Sequence, residues 1–130
     1  MKNKRILIVD DEEVIRKFVK IQLSKLGYEV GEAEDGEKAI AKLASEDFDL
    51  IICDIMMPNK DGWEVIKEVR ANPKTKDLPI IVLTARNEDI DMFKGYEIGA
   101  SYYMTKPFTK GQLLYGLKLM FEESTNEYSL

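Results

Sequence analysis

The sequence contains no histidine and only one cysteine, Cys53. The first absence removes the usual general base near neutral pH and the commonest zinc ligand. The second excludes an internal disulfide and fits a reducing compartment. Proline is scarce, with 4 residues in 130, and no Pro-rich, repetitive or low-complexity stretch divides the chain. Excess positive charge is missing too. A formal net charge of −5 argues against binding nucleic acid directly through a broad basic surface. The opening Lys2-Asn3-Lys4-Arg5 is basic, but Asp10 ends the apolar run behind it. That run is too short for a signal peptide or membrane insertion. Carboxylates, hydroxyls and lysines remain to carry any chemistry.

A chain of 130 residues encloses a single core, and 45% hydrophobic with 33% charged residues is a globular composition. The runs at 6–9, 50–53 and 80–83 are nearly continuous Ile, Leu and Val, as in strands buried on both faces of a parallel sheet. A run at 102–104 is less pure, and 28–33 alternates like an edge strand. Helical periodicities lie between them. Val14, Ile15, Phe18, Val19, Ile21, Leu23 and Leu26 predict a first helix ending at Gly27. Ala39, Ile40 and Leu43 predict a second. Trp63, Val65, Ile66 and Val69 predict a third, started by Asp61 or Gly62. Ile90, Phe93 and Ile98 predict a fourth, stopped by Gly99, and Leu113, Leu114, Leu117, Met120 and Phe121 a fifth. Five strands alternating with five helices predict a doubly wound α/β domain with helices on both faces.

The reactive residues fall just past the ends of the apolar runs. Asp10, Asp11 and Glu12 follow the first, Asp54 the third, Thr84 the fourth, and Lys106 comes shortly after the fifth. Open parallel sheets bind ligands beyond the carboxyl ends of their strands. If the first and third strands adjoin, Asp10, Asp11 and Asp54 share one pocket. Two carboxylates about 4 Å apart repel by roughly 4 kcal/mol at an effective dielectric of 20. Three together call for protons or a cation. Carboxylate oxygens without thiolate or imidazole select Mg²⁺ or a similar hard ion.

Four segments carry a resemblance to the receiver domain of two-component response regulators. They are Ile6-Leu7-Ile8-Val9-Asp10-Asp11-Glu12, Asp54-Ile55-Met56-Met57-Pro58-Asn59-Lys60-Asp61-Gly62, Leu83-Thr84-Ala85 and Lys106-Pro107-Phe108. Residues 122–130 lose the helical periodicity and read as a polar tail or the stub of a linker. The resemblance implies a flavodoxin-like five-stranded parallel sheet, strand order 2-1-3-4-5, over residues 1–121. It implies a phosphorylation-dependent signalling switch in the cytoplasm, not an enzyme in the ordinary sense, though one that catalyses its own phosphorylation and slow dephosphorylation. Asp54 would accept a phosphoryl group from a histidine kinase or a histidine phosphotransfer protein. Mg²⁺, with Mn²⁺ as a substitute, would be held by Asp10, Asp11, Asp54 and the backbone carbonyl of Met56. Lys106 and Thr84 would take up the phosphoryl charge, and Thr84 with Tyr103 would switch a face formed by the fourth helix, fifth strand and fifth helix. The target of that face is an unknown downstream protein. The chain would be a monomer or a weak dimer formed on phosphorylation.

Plainer readings stand beside these. Asp10 and Asp11 are also good caps for the first helix, and Thr84 is an ordinary strand-end hydroxyl. Met56, Met57, Trp63 and Cys53 read as packing, and Glu12, Glu13, Arg16, Lys17 and Lys20 as a solvated helix face. Gly62 reads as a backbone requirement. Met56 and Arg86 stand two residues past Asp54 and Thr84, where the family tunes phosphoryl lifetime. Ser101-Tyr102, Gln112 and Gly116 depart from the charged pattern by which one transcription-factor subfamily dimerises. Gly111 and Gly116 each lower the propensity of the last helix by about 1 kcal/mol, which predicts a looser element. An aspartate-nucleophile phosphatase is the enzymatic alternative, but Met56 stands where its second acid belongs. A flavin or nucleotide carrier lacks its Gly-rich loop, and Asp10 to Glu13 would repel a phosphate there. The start at Met1 fits a natural N-terminus of a single-domain protein, with the other end open.

Overall fold

The structure, a computed structural model, describes residues 4–85 and 92–122. Strands and helices alternate: β1 (Arg5–Val9), α1 (Glu13–Ser24), β2 (Glu29–Ala33), α2 (Gly36–Ser45), β3 (Leu50–Asp54), α3 (Gly62–Ala71), β4 (Ile80–Ala85), α4 (Met92–Ile98), β5 (Tyr102–Lys106) and α5 (Lys110–Glu122). The strands form one parallel sheet in the order β2-β1-β3-β4-β5. This is the doubly wound architecture expected, with β2 at an edge. Arg86 and Ile90, read above as a tuning position and part of the fourth helix, lie outside the described residues, as does 123–130 of the tail.

The three Ile/Leu/Val runs explain the middle of the sheet. Successive strand side chains point to opposite faces, so a continuous apolar run feeds two cores at once. Leu7, Val9, Ile51, Cys53, Ile80 and Val82 pack with Ala39 and Leu43 of α2 and Val65, Ile66 and Val69 of α3. Their neighbours Ile6, Ile8, Leu50, Ile52, Ile81 and Leu83 pack with Val19 and Leu23 of α1 and Leu113 and Leu117 of α5. Each buried Ile, Leu or Val among them contributes about 1.5–3 kcal/mol.

Helix α1 is narrower in its contacts than its sequence suggests. Val19 and Leu23 are buried and Ile15 and Phe18 partly so, but Val14, Ile21 and Leu26 are exposed. One line of contact with the sheet covers less than the whole apolar stripe. The helix stops at Ser24, and Gly27, at φ 91°, makes the left-handed turn that releases the chain into β2. Helix α3 starts at a reciprocal capping box: Asp61 accepts from the Glu64 N–H at 3.0 Å, and Glu64 accepts from the Asp61 N–H at 3.1 Å. Gly62 follows because a Cβ there would press on the main chain of Asp54 and Ile55. In α5, Gly116 is buried where a Cβ would lie 3.2 Å from the Tyr102 ring, so its small size lets the helix close on the sheet.

Arg70 ties the far end of this layer together. Its guanidinium, drawn below its ordinary pKa by burial, donates to the carbonyls of Gly99 (2.8 Å), Leu78 (2.7 Å) and Lys76 (3.0 Å). Arg70→Met strips these carbonyls of a charged donor and should lower stability by about 2 kcal/mol. A fall in the urea midpoint at constant m-value is the expected readout; an unchanged midpoint would contradict this role.

Candidate functional site

The register of the sheet builds the site. Val9 lies beside Cys53, so the next residues, Asp10 and Asp54, meet where β1 and β3 end. Asp54 lies beside Leu83, which sets Thr84 one step beyond it, and Ala85 lies beside Lys106. Asp10, Asp54 and Thr84 are buried, whereas Asp11 is exposed at the mouth. One carboxylate oxygen from each of Asp10, Asp11 and Asp54 lies within 4.8 Å of the others. All three acids expected to cluster are therefore brought together.

Lys106 reaches into this group from β5. Its Nζ is 3.0 Å from Asp10 Oδ2, 3.0 Å from Glu12 Oε1 and 3.2 Å from Asp54 Oδ2. The Glu12 and Asp54 contacts are hydrogen bonds. The Asp10 contact is charge against charge. Among the described residues, Asp10 Oδ2 finds no donor in hydrogen-bonding geometry despite its burial. The other oxygen, Oδ1, accepts from the Glu12 N–H at 2.8 Å. Asp54 Oδ1 likewise accepts from the Met56 N–H at 3.0 Å.

Burial dominates the titration of both acids. It pushes Asp10 up from 3.8 to about 6, against the opposing Glu12 N–H and Lys106 and with help from the Asp54 charge. It also raises Asp54, against the Met56 N–H and Lys106 and with a smaller push from Asp11. Burial would lower Lys106, but Asp10, Glu12 and Asp54 hold it above its ordinary value. The pocket is short of positive charge. A buried carboxylate oxygen without a donor, among hard oxygen ligands, is what a divalent cation would complete.

Some readings of the sequence need correction. Asp10 and Asp11 do not cap α1: its N-cap is Glu12, with no side-chain cap bond. Glu12 is exposed, as a solvated face residue would be, but it is also a partner of Lys106. Met56 is exposed, unlike Met57, Trp63 and Cys53, which pack with the core. Tyr103 is half-buried, its ring 4.9 Å from that of Tyr96 and 6.5 Å from that of Trp63. Its hydroxyl occupies the place a Cβ on Gly95 would take. Asp61 starts the third helix, one of the two starts expected, but a contact such as Glu12 to Lys106 has no local signal.

A family model described as response regulator receiver domain matches residues 6–118. The chain is 43% identical over 122 residues to the alkaline phosphatase synthesis transcriptional regulatory protein PhoP of Bacillus subtilis, covering 94% of this chain and 50% of that protein. It is 38% identical to the transcriptional regulatory protein ResD of the same organism, covering 93% of this chain and 49% of that one. The chain thus spans about half the length of these relatives. Among solved structures, the Vibrio cholerae chemotaxis protein CheY4 superposes with a TM-score of 0.87 at 37% identity, covering 92% of this chain and 100% of that chain. The receiver domain of a Pseudomonas aeruginosa sensor histidine kinase, with a magnesium ion coordinated in its active site cleft, gives 0.81 at 31%, covering 90% and 96%. The match corrects the expectation that the chain is not an enzyme. Receiver domains are regulators with autophosphorylation, so a flat exclusion from catalysis does not stand.

Proposed function

The chain belongs to the response regulator receiver domain family, and from that premise we propose that Asp54 is its phosphoacceptor. The observation that carries this reading is the meeting of Asp54 with Asp10, Asp11 and Lys106 at the strand ends. Phosphorylation-dependent switching is the family's function, and receiver domains interact with histidine kinases and downstream targets. No helix among the described residues is long and apolar enough to cross a membrane. A cytoplasmic site of action, facing a histidine kinase or a histidine phosphotransfer protein, fits these features.

A carboxylate oxygen of Asp54 attacks the phosphorus of a donor phosphohistidine. The P–N bond breaks, its electrons return to the imidazole, and an aspartyl phosphate remains. Asp10, Asp11 and Asp54, joined by the carbonyl of Met56, would hold Mg²⁺. When bound, the ion neutralises charge on the phosphoryl oxygens and lowers the mutual repulsion of the acids. The Met56 N–H donates to Asp54 Oδ1, which keeps this residue beside the acid. Lys106 holds Asp54 for attack and then follows the charge onto the phosphoryl oxygens. Thr84, buried one step beyond the position facing Asp54, offers its hydroxyl to them. Tyr103, lodged against Gly95 of α4, would pass that movement to the α4, β5 and α5 face. The phosphoryl group carries about −1.5 to −2 in place of the carboxylate's single charge, and it sets that charge on three oxygens that draw both groups inward.

Acetyl phosphate supplied with Mg²⁺ should add one phosphoryl group per chain, read by intact mass. Chelation of the metal should abolish the gain. Rapid multiple turnover of phosphate monoesters, or no uptake under any metal condition, would overturn the reading.

A further inference from the structure

The ion-pair network around Lys106 holds one acid that the proposed chemistry does not use. Glu12 occupies the N-cap of α1, yet its carboxylate ignores the helix and reaches Lys106, 94 positions away in sequence. Its main chain is fixed on both sides. The N–H donates to Asp10 Oδ1 at 2.8 Å, and the carbonyl accepts from the Arg16 N–H at 3.2 Å. Only the side-chain torsions of Glu12 are left to move.

We propose that Glu12 is a positioning residue that restrains Lys106 in the resting protein and releases it when Asp54 is phosphorylated. The inference rests on Asp54 being the acceptor. The Lys106 ammonium has three protons, of which Glu12 and Asp54 accept two, while Asp10 lies 3.0 Å away without a hydrogen bond. The contact to Asp54, at 3.2 Å, is the longest of the three. A phosphoryl group on Asp54 brings further anionic oxygens to the same ammonium, and these compete with the carboxylates that surround it. Asp10 cannot withdraw, since its side chain is fully buried and its backbone is held by the sheet edge. Glu12 can, because 55% of its side chain is exposed and water replaces Lys106 there at little cost. Glu12 therefore shares the ammonium with the nucleophile in the resting state and holds back part of the positive charge that phosphoryl transfer needs.

The test compares the intact chain with Glu12→Gln, Glu12→Asp, Lys106→Met and the Glu12→Gln/Lys106→Met double variant. Phosphoryl uptake from acetyl phosphate in Mg²⁺ is followed by intact mass at low and high salt. Glu12→Gln should take up phosphoryl about threefold to fivefold faster at low salt, with the gain shrinking as salt screens the pair. Glu12→Asp should return most of the way to the parent rate. On the Lys106→Met background the Gln substitution should change the rate less than about twofold. Lys106 labelling by acetic anhydride, mapped by peptide mass in the unphosphorylated protein, should rise in Glu12→Gln. Uptake no faster than the parent, an equal acceleration without Lys106, or unchanged labelling each sinks the inference. Failure of the parent chain to take up phosphoryl at all sinks the acceptor reading instead.

Discussion

Asp54→Asn is expected to reduce phosphoryl uptake about a thousandfold or more, below detection by intact mass. A carboxamide is isosteric with the carboxylate but has no anionic oxygen to attack phosphorus, so the nucleophile is lost while the shape is kept. The retained carbonyl oxygen still accepts from the Met56 N–H, which holds the loop after β3 in place. Removing the charge also frees the fold of a buried carboxylate whose pKa is raised by burial. Loss of uptake should therefore come with an unchanged or higher melting temperature in the absence of metal. Uptake by Asp54→Asn at the parent rate would move the acceptor to another residue. Lost uptake with a collapsed fold would leave the result ambiguous for that variant, and Asp54→Ala with a circular dichroism spectrum then decides it.

The second large effect is on stability and concerns Asp10. Its folded-state pKa is about 6, against an ordinary value of 3.8. The fold holds the protonated form more tightly than the unfolded chain does. The metal-free protein is thus at its best, as far as Asp10 is concerned, below about pH 4, and it loses that stability as pH rises through 6. By neutral pH the loss is about 2–3 kcal/mol. Asp10→Asn removes the ionisable group and keeps an acceptor for the Glu12 N–H, so in chelator it should be more stable than the parent at pH 7 by about 2 kcal/mol and nearly equal at pH 4. Urea midpoints across that pH range check this. A variant destabilised at pH 7 would mean that the ion pair with Lys106 outweighs the burial of the charge. Stability and the proposed metal site pull in opposite directions at this residue.

The parts legible in the sequence were those written in short-range pattern. Runs of Ile, Leu and Val gave the inner strands because a strand covered on both faces has no polar side. Asp10, Asp54, Thr84 and Lys106 were found because reactive residues in such sheets stand at strand ends. The failures concern where neighbours lie. Nothing in the spacing of Val14 and Ile21 tells whether the sheet or water faces them. Glu12 reads as one charge among several on a polar helix, and only the return of β5 to the mouth of the site gives it a partner. Arg70 likewise binds the carbonyls of Lys76, Leu78 and Gly99, none of them within a helical turn of it. Gly116 reads as a weak point in α5, yet it is where the helix approaches Tyr102.

The division of the core by the sheet has an evolutionary consequence. Adjacent residues of one strand answer to different helices, with Ile51 facing α2 and α3 while Ile52 faces α1 and α5. Substitutions in the two layers are separated by the thickness of the backbone and share few partners, so their effects should add. Each layer can then drift in sequence at its own pace, and a lineage can remodel one surface without repacking the other. The carboxyl edge of the strands is where this freedom ends, because both layers there meet the same three aspartates.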